Sequence, residues 1–333
     1  MINIKKVLVT GSEGFIGSEV VKYLLNKGLK VNAFVLYNFK NDQGFLSKIK
    51  HKNLKIFFGD IRDEKTIETA LQNSKYIINL AALIGIPYSY TAPKSYFETN
   101  TMGTLNLLNV ALKNGIKKFI HTSTSEVYGT AQYVPINENH PLNAQSPYAA
   151  SKIAADQLVN SYHKSFALET IIIRPFNTFG PRQSMRAVIP SIINQAINSD
   201  KVILGNIDTK RDFTFVTDTA KAFYSALNLN SKYSGMTFNL GSGIDFSIKE
   251  IVNFVSKILN KKLKIQISQN RIRPKKSEVL ILRSNNKLAL KKLKWKPSYK
   301  GKVGFNKGLI ETIDFIKQHN NPLNKNKSSK YIT

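Results

Sequence analysis

Cysteine is absent from the 333-residue sequence. No disulfide framework, thiolate metal site or cysteine nucleophile can therefore exist, and a reducing compartment is compatible with the composition. Long apolar runs are missing too. The richest stretch, "YIINLAALIGI" from Tyr76 to Ile86, falls far short of the roughly 20 residues that a bilayer span requires. The opening "MINIKKVLVTG" passes into a strand pattern without an apolar signal core, so the expectation is a cytoplasmic, soluble protein with no membrane insertion. Acidic residues are scarce: 21 Asp and Glu stand against 49 Lys and Arg, a formal net charge of +28. Such an excess raises nucleic acid or an anionic membrane surface as a partner. The lysines, however, are scattered along the whole chain beside abundant asparagine, and no basic stripe with interleaved aromatics is present. No nucleic-acid partner is expected, and the positive field suits an anionic small substrate. No His, Asp and Glu cluster at ligand spacing, so no metal is expected.

What is present is ample apolar material, 42% of residues, enough for one large or two medium domains. In the first half, short β-branched runs alternate with helical patterns, as a doubly wound parallel sheet requires. The strands read as "KKVLVTG", "KVNAFVLY", "KIFFGD", "YIINLAA", "KKFIHTS" and "ETIIIRP". Long helices read as "PKSYFETNTMGTLNLLNVALKNG" and "SPYAASKIAADQLVNSYHKSF", and Gly28 closes the first helix as its C-cap. Beyond Phe176 the alternation loosens. The expected fold is α/β: a Rossmann sheet over residues 1–178, with returning segments near 211–243, and a smaller, discontinuous substrate-binding lobe over 179–320. There, "RDFTFVTDTAKAFYSAL" reads as a helix and "MTFNLGSG" as a strand that rejoin the sheet, while "SIKEIVNFVSKIL" and "NNKLALKKL" read as helices of the lobe. Residues 321–333 form a basic tail expected to be disordered.

Chemistry enters at "VTGSEGFIG", where Gly11, Gly14 and Gly17 stand between a strand and a helix. Their spacing lets the backbone turn tightly, approach a pyrophosphate and present helix N-terminal amides to it. Asp60, in "GDIRD" after the third strand, is placed to accept from an adenine amino group. Where such sites carry an acid after the second strand for the ribose hydroxyls, this chain has Tyr37 and Asn38. Lys40 could face a phosphate there, but no arginine lies in that segment. The reading favours NAD and leaves NADP open. In "YAASK", Tyr148 and Lys152 are four residues apart and share a helix face. A nearby ammonium and an oxidised nicotinamide lower a phenol pKa, so Tyr148 can take a proton from a sugar hydroxyl as hydride leaves, with Thr124 bonding the same hydroxyl.

The glycine turn, "LAA", "STSEVYG", "YAASK" and "RPFNTFGPRQ" together resemble the extended short-chain dehydrogenase/reductases, the NAD-dependent epimerase/dehydratase family. "VLYNF", "LAALIGIPYSYTAPKSYFETNTMGTLN", "GTAQYVPINENHPLNAQSPYAASK" and "GPRQSMRAVIP" resemble, more narrowly, the 4,6-dehydratases of legionaminic acid biosynthesis. That resemblance implies a nucleotide-activated N-acetylglucosamine, on UDP or GDP, as substrate and a tightly bound, recycled NAD. It implies cofactor contacts at Glu13, Phe15 and Ile16 of the glycine turn, at Tyr37, and at Asp60 and Ile61. It also implies them at Leu80, Ala81 and Ala82, at Asn100 and Pro175, and at the catalytic pair. Simple C4 epimerases of the family tend to have small or neutral residues where Glu126 stands, whereas a 4,6-dehydratase needs a base. Once C4 is a ketone, a positioned carboxylate can take the C5 proton. Many dehydratases carry Asp beside that glutamate; here Ser125 takes its place, as in GDP-mannose dehydratases, and its hydroxyl, a water or Glu126 must serve the departing hydroxyl. Asn79 replaces a common histidine.

By the same resemblance, Asn177 lies near the sugar diphosphate, and Arg211 and Arg273 clamp phosphates, a task suited to guanidinium forks. Arg186 is a further substrate candidate, with a solvated surface role equally open for it and Arg273. His121 reads as structural, His140 and His163 as surface residues, and Tyr88 and Tyr90 as bordering the sugar or packing. A homodimer is expected through the helices near 95–113 and 148–165. Alternatives are a decarboxylase of a nucleotide-glucuronic acid, a C4 epimerase, or a non-catalytic dinucleotide- or RNA-binding scaffold.

Overall fold

The computed structural model describes residues 6–320, so the basic tail at 321–333 and the disorder expected of it lie outside the described residues. Six strands of the first half are β1 (Lys6–Thr10), β2 (Lys30–Leu36), β3 (Leu54–Gly59), β4 (Tyr76–Asn79), β5 (Lys118–Thr122) and β6 (Thr170–Pro175). With the later strand Met236–Leu240 they form one seven-stranded sheet, ordered Met236–Leu240, β6, β5, β4, β1, β2, β3. All neighbours in it are parallel. Parallel strands are covered on both faces, which is why β4 and β6 are buried at every position. The strand order turns back at β1, between β2 and β4, and the loops leaving their carboxyl ends border a crevice suited to a ligand.

One face of the sheet is packed by α1 (Phe15–Asn26) and the helix Val216–Leu227, whose Val20, Leu24, Phe223 and Leu227 join Val9, Ile78 and Ile120 in one cluster. The helices Glu64–Leu71, Gly103–Lys113 and Pro147–Phe166 cover the opposite face, with Leu107, Leu108 and Ala111 at helical spacing. A further core unites the helices Val188–Asn198, Ile248–Leu259 and Gly301–Asn320. Its centre is Phe305, packed ring to ring with Phe179, Phe213 and Phe246. Ser247 and Glu250 form a capping box that starts the helix Ile248–Leu259.

Three readings of the sequence are corrected. Lys210–Phe215 is a strand, and the helix starts only at Val216; the strand joins a small separate sheet with Asn177–Phe179, Asp245–Ser247 and Ile281–Leu282. Its buried run of Phe213, Thr214 and Phe215 favours a pleated surface over a helix. The short helix Lys287–Lys292 packs on the large sheet, since Ala289, Leu293 and Trp295 share a cluster with Phe238 and Leu240. The helical stretch from Pro93 to Lys113 is interrupted by a π-helical turn at Phe97–Met102. Among the described residues no helix is long and apolar enough to cross a membrane.

Candidate active site

The glycine turn joins β1 to α1, and its three glycines answer different constraints. Gly11 has φ of +61°, and a Cβ there would come within 2.7 Å of the Ala81 nitrogen. A Cβ on Gly17 would lie 2.1 Å from the Gly11 carbonyl, so only glycine lets α1 close on the turn. A Cβ on Gly14 would meet nothing nearer than 3.4 Å, so the absent side chain opens space on the free side of the turn. Gly14 is also the N-cap of α1, with no side-chain cap, which leaves the first-turn amides around Phe15 and Ile16 for an outside acceptor. These features fit a dinucleotide pyrophosphate. The turn is held to the next loop by Thr10, whose Oγ1 donates to Asn79 Oδ1 at 2.7 Å and accepts from the Leu80 and Ala81 amides at 3.2 Å. Asn79 fills the usual histidine's place and also donates toward Thr104 Oγ1 at 3.3 Å.

At the carboxyl end of β2, Tyr37 projects into solvent at 67% exposure. The Asn38 amide is spent on its own loop, donating to the Asp42 carbonyl at 3.0 Å and accepting from the Asp42 amide at 2.8 Å. The carboxylate of Glu13 occupies this end of the strand instead, with Oε1 accepting from the Leu36 amide at 3.1 Å. Asp60, read from sequence as an adenine acceptor, is gripped by Arg62, whose Nη2 is 2.6 Å from Oδ2; that guanidinium holds the carboxyl below its ordinary range. Ile61 turns its side chain into the core beneath Gly103 and offers the site only its backbone.

Thr124 follows β5 and caps the short 3-10 turn Ser125–Tyr128 by accepting from the Glu126 amide at 3.2 Å. Tyr148 and Lys152 face this turn from the helix Pro147–Phe166, itself started by Ser146 and Pro147. Both are buried, and Lys152 Nζ donates to the Thr122 carbonyl at 2.6 Å. Burial brings the Lys152 ammonium down to a pKa of about 8, with Asp156 working against it. Burial pushes the Tyr148 phenol up; Thr124 favours the phenolate, and the Glu126 charge opposes it. The lowered phenol expected from sequence is thus not a property of the polypeptide alone, because desolvation outweighs the local help.

Behind this pair, Asp156 Oδ2 accepts from Ser123 Oγ at 2.8 Å and Arg174 Nη2 at 2.9 Å, and Arg174 Nη1 donates to the Tyr128 hydroxyl at 3.0 Å. His121 lies wholly buried 3.6 Å from Asp156, and desolvation holds it well below its ordinary pKa, hence neutral. His140 is not a surface residue: it is 3% exposed, accepts from the Gln132 amide at 2.9 Å and packs on Tyr128. His163 is half-buried, its Nδ1 3.0 Å from the Leu168 carbonyl. Asn100, in the π-helical turn, spends its amide on both backbone groups of Leu83, at 2.8 and 3.0 Å, and on Ser151 Oγ at 3.0 Å. It therefore serves the site by fixing the loop after Leu80–Ala82 rather than by its own side chain.

Two arginines from later segments of the chain approach Glu126. Arg211 is buried, donating to the Lys210 carbonyl at 3.0 Å, with Nη2 3.8 Å from Glu278 Oε1. Arg273 Nη1 lies 4.0 Å from Glu126 Oε2 and has no hydrogen-bond partner among the described residues. Arg211 senses the charges of Glu126, Arg273 and Glu278 together, so these four side chains form one cluster. Pro175 ends β6, and Asn177 begins the short strand beyond it. Arg186 is exposed in the loop before the helix Val188–Asn198, and no contact draws it into the cluster. Tyr88 is 55% exposed, whereas Tyr90 Oη meets Ser277 Oγ at 2.6 Å, and Ser277 Oγ also donates to the Gln145 carbonyl at 2.7 Å. Three segments distant in sequence thus meet at Ser277.

Sequence reading missed Arg62, Glu278 and the Asp156–Arg174 pair. Their signals were Arg62 two residues after Asp60, Asp156 four after Lys152 on one helix face, and Glu278 as the acid of "RPKKSEV". Among the described residues no His, Asp and Glu gather as a metal site.

Residues 8–308 match the family model described as GDP-mannose 4,6 dehydratase. The low-salt glycan biosynthesis protein Agl12 of Haloferax volcanii is 34% identical over 247 residues, 72% of this chain and 78% of that protein. A putative UDP-glucose 4-epimerase of Methanocaldococcus jannaschii is 30% identical over 322 residues, 94% of this chain and 99% of that protein. Among solved structures, DesIV, the dTDP-glucose 4,6-dehydratase of Streptomyces venezuelae with NAD and TYD bound, is similar with a TM-score of 0.83. The two are 25% identical, over 94% of this chain and 97% of that one.

Proposed function

We propose, from the premise that this chain belongs to the GDP-mannose 4,6-dehydratase family within the NAD-dependent epimerase/dehydratase group, that it is a nucleotide-sugar 4,6-dehydratase. The carrying observation is Glu126. Its carboxylate stands after β5, near enough to Tyr148 to oppose the phenol's ionisation and 4.0 Å from a guanidinium of the facing lobe. An exchange of configuration at C4 needs no such base; removal of the C5 proton does.

The glycine turn at Gly11, Gly14 and Gly17 would hold NAD, which would supply a hydride acceptor for C4 and a hydride donor for C6 with no net consumption. Tyr148 takes the C4 hydroxyl proton, oriented by Thr124, and the Lys152 ammonium steadies the phenolate. Glu126 removes the proton of C5, which the new ketone acidifies. Ser125 is too weak an acid for the departing C6 hydroxyl, so Glu126 hands on the proton it has just gained and water leaves. C5 then regains a proton as C6 is reduced, balancing the one Tyr148 took and releases. The net change is loss of one water.

Arg211 and Arg273 suit a diphosphate, which would meet guanidinium groups whose ion-pair carboxylates lie 3.8 and 4.0 Å away. The substrate class we assign is an N-acetylglucosamine nucleotide, on the motifs shared with legionaminic acid dehydratases. A homodimer through the helices near 95–113 and 148–165 is supported by the exposed Phe97, Met102 and Phe166 on those helical stretches; a monomer in sedimentation would remove it. Mass spectrometry of products from a panel of sugar nucleotides tests the function. A product lighter by one water is expected from the wild type and not from Glu126→Gln. Loss of carbon dioxide, or a mass-neutral product, would overturn dehydration in favour of decarboxylation or epimerisation.

A further inference from the structure

We infer that Glu13, from the glycine turn, takes over the ribose-binding task of the acid missing after β2 and thereby sets the preference for NAD over NADP. Three observations converge. First, the two residues at the end of β2 are unsuited: Tyr37 is 67% exposed, and the Asn38 amide is consumed by Asp42. Second, the Glu13 carboxylate is fixed at that same strand end. Oε1 accepts from the Leu36 amide at 3.1 Å, and the Glu13 carbonyl accepts from the Phe45 amide at 3.2 Å. Gly44 packs so close that a Cβ on it would lie 2.8 Å from the Glu13 carbonyl oxygen. Third, Glu13 Oε2 is buried and has no hydrogen-bond partner among the described residues.

A buried carboxylate oxygen without a donor is costly, and such an atom calls for an explanation. Here it sits beside the turn that fits a pyrophosphate, at the strand end where the adenosine ribose of a doubly wound fold lies. A ribose diol supplies the missing donors. A 2′-phosphate supplies none at neutral pH and brings a like charge against the carboxylate, which is the repulsive half of specificity. Arg62, the cation of the neighbouring loop, is neutralised by its bidentate contact with Asp60 and is not free to compensate.

The inference rests on NAD use as given above but not on dehydration, because it is read by binding alone. Calorimetric titration of the purified full-length protein, freed of nucleotide, with NAD and separately with NADP tests it. Wild type is expected to prefer NAD by about 100-fold or more. Glu13→Gln, which keeps the shape and the bond from Leu36 but loses the charge, is expected to shrink that ratio to about tenfold or less, chiefly by tighter NADP binding. Glu13→Ala is expected to weaken NAD about tenfold or more. An unchanged ratio in Glu13→Gln, or a wild type without preference, overturns the inference whatever the sugar chemistry proves to be.

Discussion

The two walls of the cleft are built on different physical terms. The dinucleotide wall is a backbone structure: glycines at forced φ and close approach, and loops tied by short bonds such as Thr10 to Asn79 at 2.7 Å. The facing wall, proposed to take the sugar nucleotide, is a side-chain structure: two arginines and two glutamates whose ion pairs stretch to 3.8 and 4.0 Å. Burial even lowers the Arg211 pKa, a sign that its charge is incompletely answered by the protein. A permanently bound, recycled group suits a wall complete in itself, whereas a substrate that comes and goes suits one that keeps its attraction unspent. The division teaches where each kind of variant should be felt.

The sharpest test lies where the walls meet. Tyr148→Phe should cut turnover by roughly 100-fold or more, while leaving calorimetric NAD affinity within about threefold of wild type. Glu126→Gln should lose net elimination to a similar degree yet still show a transient nicotinamide absorbance from C4 oxidation. If that transient vanished too, Glu126 would belong to the redox pair rather than to elimination. Next in size, Arg273→Ala should raise KM for the sugar nucleotide by about tenfold, as loss of a charged hydrogen bond predicts, without weakening NAD. Arg211→Ala should do the same and also lower stability, since its guanidinium is buried. An equal loss of NAD affinity in either variant would break the comparison.

A gentler probe is pH. The Lys152 ammonium, held to about 8 by burial, is present below that value and lost above it. The rate of C4 oxidation should therefore fall as pH rises through about 8, and Lys152→Arg should remove that limb even if it slows the reaction. The unfolded chain, with the ordinary lysine value of 10.5, binds the proton more tightly than the native state. Lys152 accordingly makes urea-measured stability rise between about pH 8 and 10.5, the opposite sign to a paired lysine. The smallest expected effect is Asn100→Ala: losing the bonds to Leu83 and Ser151 should cost about 1–3 kcal/mol in urea unfolding, with KM nearly unchanged.

The dinucleotide wall was legible in the sequence because it is local. A strand, a glycine turn and a helix fall within about 20 consecutive residues, and Tyr148, Lys152, Thr124 and Glu126 lie in two short motifs. The facing wall was legible only as residue types. That Arg273 would face Glu126, or that Tyr90 would meet Ser277, depends on how segments far apart in the chain pack, which periodicity does not encode. The same limit explains Lys210–Phe215. Its strand runs without a break into a helix, and only pairing with segments remote in sequence, Asp245–Ser247 and Asn177–Phe179, marks its extent. His140 read as a surface residue because its partners, Gln132 and Tyr128, come from a loop without periodic pattern.

The π-helical turn at Phe97–Met102 acts as a phase shift in the rod that carries it. One extra residue per turn rotates everything before it by roughly 100° relative to everything after. Tyr96, upstream, packs edge-on against Tyr148, while Leu107 and Leu108, downstream, lie on the sheet. A straight α-helix through the same stretch could not hold both in register. Deleting a single residue there would leave the sequence looking just as helical, yet swing the aromatic support of Tyr148 out of the cleft. The length of this turn is thus as much a specification of the proposed site as the side chains it aligns.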